Sequence, residues 1–206
     1  MATVDKLRLG PADHGRPLTL DEFRDADEEP GYRYELARGV LEVTEVPNDP
    51  HGQIVFELFL ALARYVTAHT DRIHRYGGAS EFRLWVPGMI SGRNPDAAVV
   101  LRGAPKDVRG RRVPALAVEV VTEGGETRDY VTKREEYLVY GLFEYWIVDP
   151  GPKTVTVLVR DGGAWLERVY RGDQLIESLV LPGIGLPVSD LWIDLEEDEP
   201  PATPGA

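Results

Sequence analysis

Two acidic side chains stand where the sequence otherwise predicts buried β-strands. Glu119 lies inside the apolar run ALAVEVV, and Asp96 opens the apolar run DAAVVL. A buried carboxylate needs a cation, a hydrogen-bond donor or a proton. If the two strands are neighbours, both carboxylates reach the same end of one sheet, where a divalent cation would offset their repulsion. Hard oxygen ligands suit Mg²⁺ or Mn²⁺. For each residue taken alone, a structural role stays open, namely a salt bridge for Glu119 and a turn cap for Asp96.

A lysine in the next predicted helix supplies a cation. Asp129 and Lys133 are four residues apart in DYVTKREEYLVY and therefore share one helix face. The ordinary interpretation of such a pair is a weak surface ion pair. Because this helix follows directly on the Glu119 strand, its first turns return over the end of that strand. A lysine held there could orient or deprotonate a metal-bound water, or neutralise charge that develops on a phosphate.

The elements that must position these residues follow from apolar periodicity. LTLDEFRDAD predicts a short helix with Thr19 as N-cap and Glu22 completing a capping box. YRYELARGVLEVTEV predicts a β-hairpin with glycine in the turn. A long helix is predicted to follow a cap at Asp49-Pro50, since apolar residues then recur at helical spacing from Ile54 to Val66.

The rest of the chain predicts mainly strands. We expect strands at 72–76 and 81–86, paired around Gly77-Gly78, and further strands at 96–101, 115–121, EYWIVD, TVTVLVR and AWLERVY, with a helix at 126–140. The predicted fold class is α/β (α+β), with a mixed β-sheet flanked by helices and an N-terminal β-hairpin.

Composition limits the class of protein. The chain has 206 residues, 43% of them hydrophobic, which favours one domain at 18–193, with an N-terminal extension at 1–17 and an acidic, proline-rich, disordered tail at 194–206. It has no cysteine, which excludes thiolate metal sites. We find no apolar run of membrane-spanning length and no secretory signal, so we expect a cytoplasmic protein with no membrane partner.

The net charge of −12 disfavours tight binding to nucleic acid, since phosphate binding depends on basic surface. One local basic cluster stands against this balance, although a solvated surface loop explains it equally well. The cluster consists of Arg102, Lys106, Arg109, Arg111 and Arg112.

The order of these motifs resembles the Uma-two family of restriction-endonuclease-like proteins, within the PD-(D/E)XK nuclease superfamily. The matching segments are YELARGVLEV, the histidine in NDPHGQIV, NPDAAVV, AVEVVT, DYVTKREEYLVYG and EYWIVDP, from about residue 34 to 150, with a weaker match in LPGIGLPVSDLW. The combination of motifs is specific, although no single one is.

The resemblance implies roles for individual residues. Asp96 and Glu119 correspond to metal ligands, and Lys133 to the active-site lysine, moved from the strand to the next helix. Glu35 corresponds to an additional glutamate of the site, although the hairpin pattern alone would leave it exposed to solvent. One departure is Thr122-Glu123, where the family usually has serine and proline, since the added carboxylate could weaken phosphate binding.

Two further residues are secondary candidates. His51 lies in the first turn of the long helix, where a buried or capping histidine is the more common interpretation. Asp129 is expected to orient Lys133 rather than to bind metal. Glu144 and Asp149 are interpreted as strand-end and turn residues.

These observations lead to one working hypothesis and two alternatives. The hypothesis is a Mg²⁺- or Mn²⁺-dependent endonuclease that hydrolyses DNA with Asp96, Glu119, Glu35 and Lys133. The first alternative is a catalytically inactive binding or assembly protein with the nuclease fold, and the second is a metal hydrolase of small phosphoesters. The aromatic strands EYWIV and LWV could also support a homodimer.

Overall fold

The computed structural model describes residues 6–46, 49–107 and 110–195. Their strands are β1 (Arg8–Leu9), β2 (Asp27–Glu28), β3 (Tyr32–Ala37), β4 (Val40–Glu45), β5 (Ile73–Gly77), β6 (Leu84–Val86), β7 (Ser91–Arg93), β8 (Ala97–Leu101), β9 (Leu116–Val120), β10 (Glu144–Asp149), β11 (Thr154–Asp161) and β12 (Ala164–Arg171). Their helices are α1 (Leu20–Asp25), α2 (His51–Ala68) and α3 (Lys133–Tyr140), with 3₁₀ segments at Pro11–Asp13, Pro87–Met89 and Val188–Leu195.

The larger sheet has six strands in the order β12-β11-β10-β9-β8-β5. β9 and β10 are parallel and the other neighbours are antiparallel, so the mixed sheet expected from the sequence is confirmed. Alternate residues of β10 enter opposite cores. Trp146 packs with α2, whereas Tyr145 packs with Tyr137 of α3. Because β8, β9 and β10 are covered on both faces, their sequences lack apolar–polar alternation.

A second sheet of four strands, in the order β4-β3-β7-β6, was not predicted from the sequence. The expected pairing of 72–76 with 81–86 is wrong, because β5 pairs with β8 and β6 pairs with β7. Gly77 is a strand residue opposite Ala98 rather than a hairpin turn. Beyond it, the Glu81 carboxylate accepts a 2.8 Å bond from the Gly78 N–H, and this turn directs the chain into the second sheet.

The predicted hairpin is β3–β4. Its turn residues Arg38 and Gly39 both have positive φ, at 50° and 82°, which gives the backbone twist that a two-residue hairpin turn requires. The capping box on α1 is also confirmed, since Thr19 Oγ1 accepts from the Glu22 N–H and the Glu22 carboxylate accepts from the Thr19 N–H. The predicted cap on α2 is wrong, because the N-cap residue is Pro50 and no side chain caps the helix.

The N-terminal part packs onto the second sheet. Leu9 is fully buried in a cluster with Phe23 and Trp85, and β1 pairs with β2. Residues 1–5 lie outside the described residues, as does most of the tail expected at 194–206, of which 194–195 still belong to the 3₁₀ segment Val188–Leu195. The boundaries drawn at 17/18 and 193/194 stay predictions.

The aromatic segments proposed for a homodimer occupy different places. EYWIV belongs to β10, which is flanked by β9 and β11 and is almost fully buried, so it offers no free edge for a second copy. LWV is β6, which lies at the edge of the four-stranded sheet with its side chains buried. The homodimer stays a prediction. No helix within the described residues is both long and apolar enough to cross a membrane.

Candidate active site

The register of the two central strands brings the predicted carboxylates together. Ala97 of β8 pairs with Val118 of β9, so Asp96 and Glu119 stand opposite each other one step further along. The Val120 N–H donates a 2.8 Å bond to Asp96 Oδ2, which ties the first carboxylate to the backbone of the second strand. Asp96 is 5% exposed and Glu119 is 2% exposed. Both are therefore desolvated at the same end of the sheet.

Lys133 reaches this pair from the helix that follows β9. Its Nζ lies 2.8 Å from Glu119 Oε2 and 3.4 Å from Asp129 Oδ1. The helix predicted at 126–140 is present, but Arg128–Thr132 form a π-helical turn, and α3 begins at Lys133 itself. A left-handed Gly141 then ends α3, as the sequence predicts. The lysine is buried, so its charge acts on the carboxylates without screening by water.

Glu35 joins the same cluster, although the hairpin pattern would have left it exposed. It lies on β3 and is 8% exposed. Its Oε1 accepts a 2.7 Å bond from the Asn94 N–H, and its Oε2 lies 3.4 Å from Lys133 Nζ. The second sheet covers this end of the larger sheet, which is the reason that a hairpin residue is buried here.

Arg33 and His51 surround Asp96. Arg33 Nη1 donates a 2.8 Å bond to Asp96 Oδ1, while His51 Nε2 lies 3.2 Å from Oδ2 without hydrogen-bond geometry. Burial alone would raise the pKa of Asp96, but His51 and Arg33 outweigh burial and hold that pKa well below its usual range. Asp96 is therefore ionised at any working pH.

The pKa of Glu119 is shifted in the opposite direction. Burial raises its pKa to about 8, against the attraction of Lys133, and Asp96 and Glu35 add repulsion. Burial would lower the pKa of Lys133, but Glu119, Glu35 and Asp129 raise it above its usual value. The lysine thus keeps its proton, which disfavours the proton-accepting role that the sequence left open.

The oxygen atoms of the site are of the type that binds divalent cations. Asp96 and Glu119 offer carboxylate oxygens, each of which can accept a second partner beside the hydrogen bonds that it already makes. No cluster of three or more histidine or acidic side chains is arranged as a metal cage among the described residues. A site with only two carboxylates would leave positions for water and phosphate oxygens, as Mg²⁺ prefers.

The site lies in an open cleft of about 920 Å³, here called the acidic cleft. Its walls include Glu35, Asp96, Glu119, Lys133 and Arg128. Thr122 and Glu123, the departure from the family pattern, also line it. The Thr122 hydroxyl accepts a 3.1 Å bond from Arg128, and Glu123 is exposed.

The predicted basic cluster is divided. Arg111 and Arg112 line a second cleft that meets the first at Asp96 and His51. Arg102 and Lys106 are exposed and line neither cleft, and Arg109 lies outside the described residues.

Several residues at the site were missed by sequence reasoning. Tyr137 is fully buried and its hydroxyl donates to Glu119 Oε1. The sequence did contain a signal for Tyr137, because it lies four residues after Lys133 and therefore on the same helix face as the predicted site lysine. Arg33 also had a signal, since it precedes Glu35 by two residues and shares its side of the strand. Arg128, which binds Asp129 through two bonds of 3.2 and 3.1 Å, had none.

The two carboxylates read as non-catalytic have structural partners. Glu144 is fully buried and accepts bonds from the Trp146 indole N–H at 2.6 Å and the Leu179 N–H at 2.8 Å. Asp149 accepts from the Tyr130 hydroxyl at 3.0 Å and the Gly151 N–H at 3.0 Å. These contacts agree with the strand-end and turn roles expected from the sequence.

Comparison with known proteins identifies a structure with a similar fold and the family of the chain. The crystal structure of a "putative nuclease belonging to DUF820" from Anabaena variabilis is similar, with a TM-score of 0.67 at 20% sequence identity, covering 86% of this chain and 98% of that one. The family model of Uma2, described as "Putative restriction endonuclease", matches residues 20–189, and the chain belongs to that family. No curated protein matches it.

Proposed function

We propose that this protein is a divalent-metal-dependent endonuclease that hydrolyses phosphodiester bonds of DNA. The observation that carries the proposal is the convergence of Asp96, Glu119 and Lys133 at the end of two neighbouring strands, with Lys133 Nζ 2.8 Å from Glu119 Oε2. Membership in a family described as restriction endonucleases supports the reaction class.

Asp96 and Glu119 would hold Mg²⁺ or Mn²⁺. Bound there, the cation would supply charge stabilisation for the phosphate and acidify a water molecule. Asp96 is well suited to binding it, since Arg33 and His51 keep its carboxylate ionised. Glu119 is held in orientation by the Tyr137 hydroxyl.

Lys133 acts as a fixed positive charge. Its ammonium group donates hydrogen bonds to phosphate oxygens and stabilises the negative charge that develops on them during hydrolysis. Glu35 and Asp129, each with an oxygen 3.4 Å from Nζ, keep the ammonium in place. Glu35 is in turn fixed by the Asn94 N–H and by Arg93.

Plasmid cleavage with Mg²⁺ or Mn²⁺ tests the proposal. Glu119→Gln and Lys133→Met should each lower the cleavage rate by about 10²-fold or more, the scale expected for loss of a group that stabilises transition-state charge. Glu123→Gln is the matched control, because it also removes a carboxylate that lines the acidic cleft, at an exposed position outside the proposed set of residues. It should retain at least wild-type cleavage.

Calorimetric titration of Mn²⁺ gives a readout that does not depend on activity. Glu119→Gln should lose the binding that wild type and Glu123→Gln retain. Equal cleavage by wild type and Glu119→Gln would refute the site. Absence of both Mn²⁺ binding and cleavage in wild type would favour the non-catalytic alternative. Hydrolysis of a small chromogenic phosphodiester without cleavage of either plasmid or single-stranded DNA would favour the small-ester hydrolase.

A further inference from the structure

A second cleft of about 750 Å³ opens beside the acidic cleft. It is here called the arginine cleft, after Arg75, Arg83, Arg111 and Arg112, which line it together with Arg33. The two clefts share Arg33, His51 and Asp96 in their walls. A ligand in the arginine cleft would therefore reach the proposed site directly.

The two clefts differ in charge. Among the described residues, the acidic cleft is lined by eight carboxylates and three Lys or Arg side chains, whereas the arginine cleft is lined by five arginines and three carboxylates. A polyanion is repelled by the first set and attracted by the second. This local separation of charge offers a phosphate-binding surface on a chain whose net charge is −12.

Arg75 and Arg112 are available to anions, whereas Arg83 and Arg111 already have acidic partners. Arg83 pairs with Glu28 at 3.0 Å, and Arg111 pairs with Asp107 at 2.7 Å. The Arg112 side chain donates to the carbonyl of Ala104 at 3.1 Å. Neither it nor Arg75 forms an ion pair within the part of the chain that the structure describes.

Aromatic rings line the same cleft. Arg75 stacks over the Phe82 ring, with its guanidinium carbon 4.4 Å from the ring centre. Phe59 and Tyr140 are half-buried and lie in the wall. Aromatic rings beside a basic groove are typical of proteins that bind single strands, because unpaired bases stack on the rings while the backbone follows the cations. A cavity of about 750 Å³ falls in the size range of small-ligand sites, which suits a few unpaired nucleotides.

We propose that the arginine cleft binds unpaired nucleotides of DNA next to the bond that is cleaved. Their phosphates contact Arg75 and Arg112, and their bases stack on Phe59 and Tyr140. The inference rests on the proposed nuclease function, and it specifies the substrate as a strand that is single-stranded or locally unpaired at the site.

Binding of fluorescent oligonucleotides in the presence of chelator tests the inference without cleavage. A single strand should bind at least about fivefold more tightly than a duplex of the same sequence, since only its bases are free to stack. Arg112→Gln and Arg75→Gln should each weaken single-strand binding and lower the slope of log Kd against log salt by about 1. Phe59→Leu, which keeps an apolar side chain, should weaken single-strand binding by about fivefold.

Arg102→Gln is the matched control, because Arg102 is exposed, lines neither cleft and donates to the Thr70 carbonyl. It should bind like wild type. Equal loss of single-strand binding in Arg102→Gln and Arg112→Gln would overturn the inference. A single-strand preference that Phe59→Leu leaves unchanged would overturn it as well. Duplex cleavage by all three cleft variants at the wild-type rate would overturn it and leave the nuclease proposal intact. If the cleft variants lose single-strand binding and the wild type cleaves no DNA, the result would support binding in the arginine cleft and refute the proposed nuclease function.

Discussion

Lys133→Met isolates the role of the buried ammonium group, because methionine nearly matches the shape of lysine and carries no charge. In the wild type, Lys133 Nζ lies 2.8 Å from Glu119, 3.4 Å from Glu35 and 3.4 Å from Asp129. The substitution therefore leaves three buried carboxylates without the cation that they share.

The expected loss in the free energy of unfolding is about 3–5 kcal/mol, as for removal of one partner from a buried ion pair. The loss should depend on pH. Glu119 has a pKa raised to about 8 by burial, and loss of Lys133 raises it further, so at low pH a proton neutralises the carboxylate. We expect the upper end of the range near pH 9 and the lower end near pH 6.

Urea denaturation of the metal-free protein measures this loss. Lys106→Met is the control, because Lys106 is exposed, and it should change stability by less than about 0.5 kcal/mol. The double variant Lys133→Met/Glu119→Gln should recover about 1–3 kcal/mol of the loss, because one of the repelling charges is gone. Two results would refute this electrostatic account. One is a loss in the free energy of unfolding below about 1 kcal/mol at pH 9, and the other is a double variant that is less stable than Lys133→Met alone.

Three further predictions concern the same molecule. Without metal, the free energy of unfolding should fall as pH rises from about 4.5 to about 8, because folded Glu119 keeps a proton that the unfolded chain has already released. Urea titrations at a series of pH values measure this slope, and Glu119→Gln should flatten it. Glu136→Ala should lower stability by about 3–5 kcal/mol, because it removes the carboxylate that lies 2.6 Å from Nε of the fully buried Arg93. Glu42→Ala removes a half-buried partner of the same arginine and should lower stability by less in the same assay. Gly92→Ala should lower stability by about 1–3 kcal/mol and shift the melting curve accordingly, because its Cβ would lie 2.9 Å from the Trp85 ring.

The central strands and their carboxylates could be predicted from the sequence because their signals are local. An acidic residue within an uninterrupted apolar run, as at Glu119, marks both a buried strand and a group that needs a cation. The capping box at Thr19 and the hairpin at Arg38-Gly39 are likewise specified by adjacent residues.

The second sheet could not be predicted, since strand pairing depends on residues far apart in the chain. β3 meets β7 through the pair Leu36 and Gly92, and no periodicity in either segment specifies this contact. The burial of Glu35 follows from that sheet, so its exposure could not be judged from the hairpin alone. Arg128 was missed for a related reason, because the π-helical turn that positions it has no clear sequence signature.

That π-helical turn also affects how the protein can change by insertion and deletion. A π turn holds one residue more than the α-helical turn that it replaces. Because the wider turn absorbs that residue, deletion of one residue from Arg128–Thr132 would restore regular α-helix and leave α3 in nearly the same phase relative to β9. In a regular α-helix, by contrast, one residue added or removed turns everything after it by about 100°, given about 3.6 residues per turn. Lys133 would therefore stay beside Glu119 in a relative that lacks the extra residue, so this segment tolerates a change in length that the rest of the helix does not.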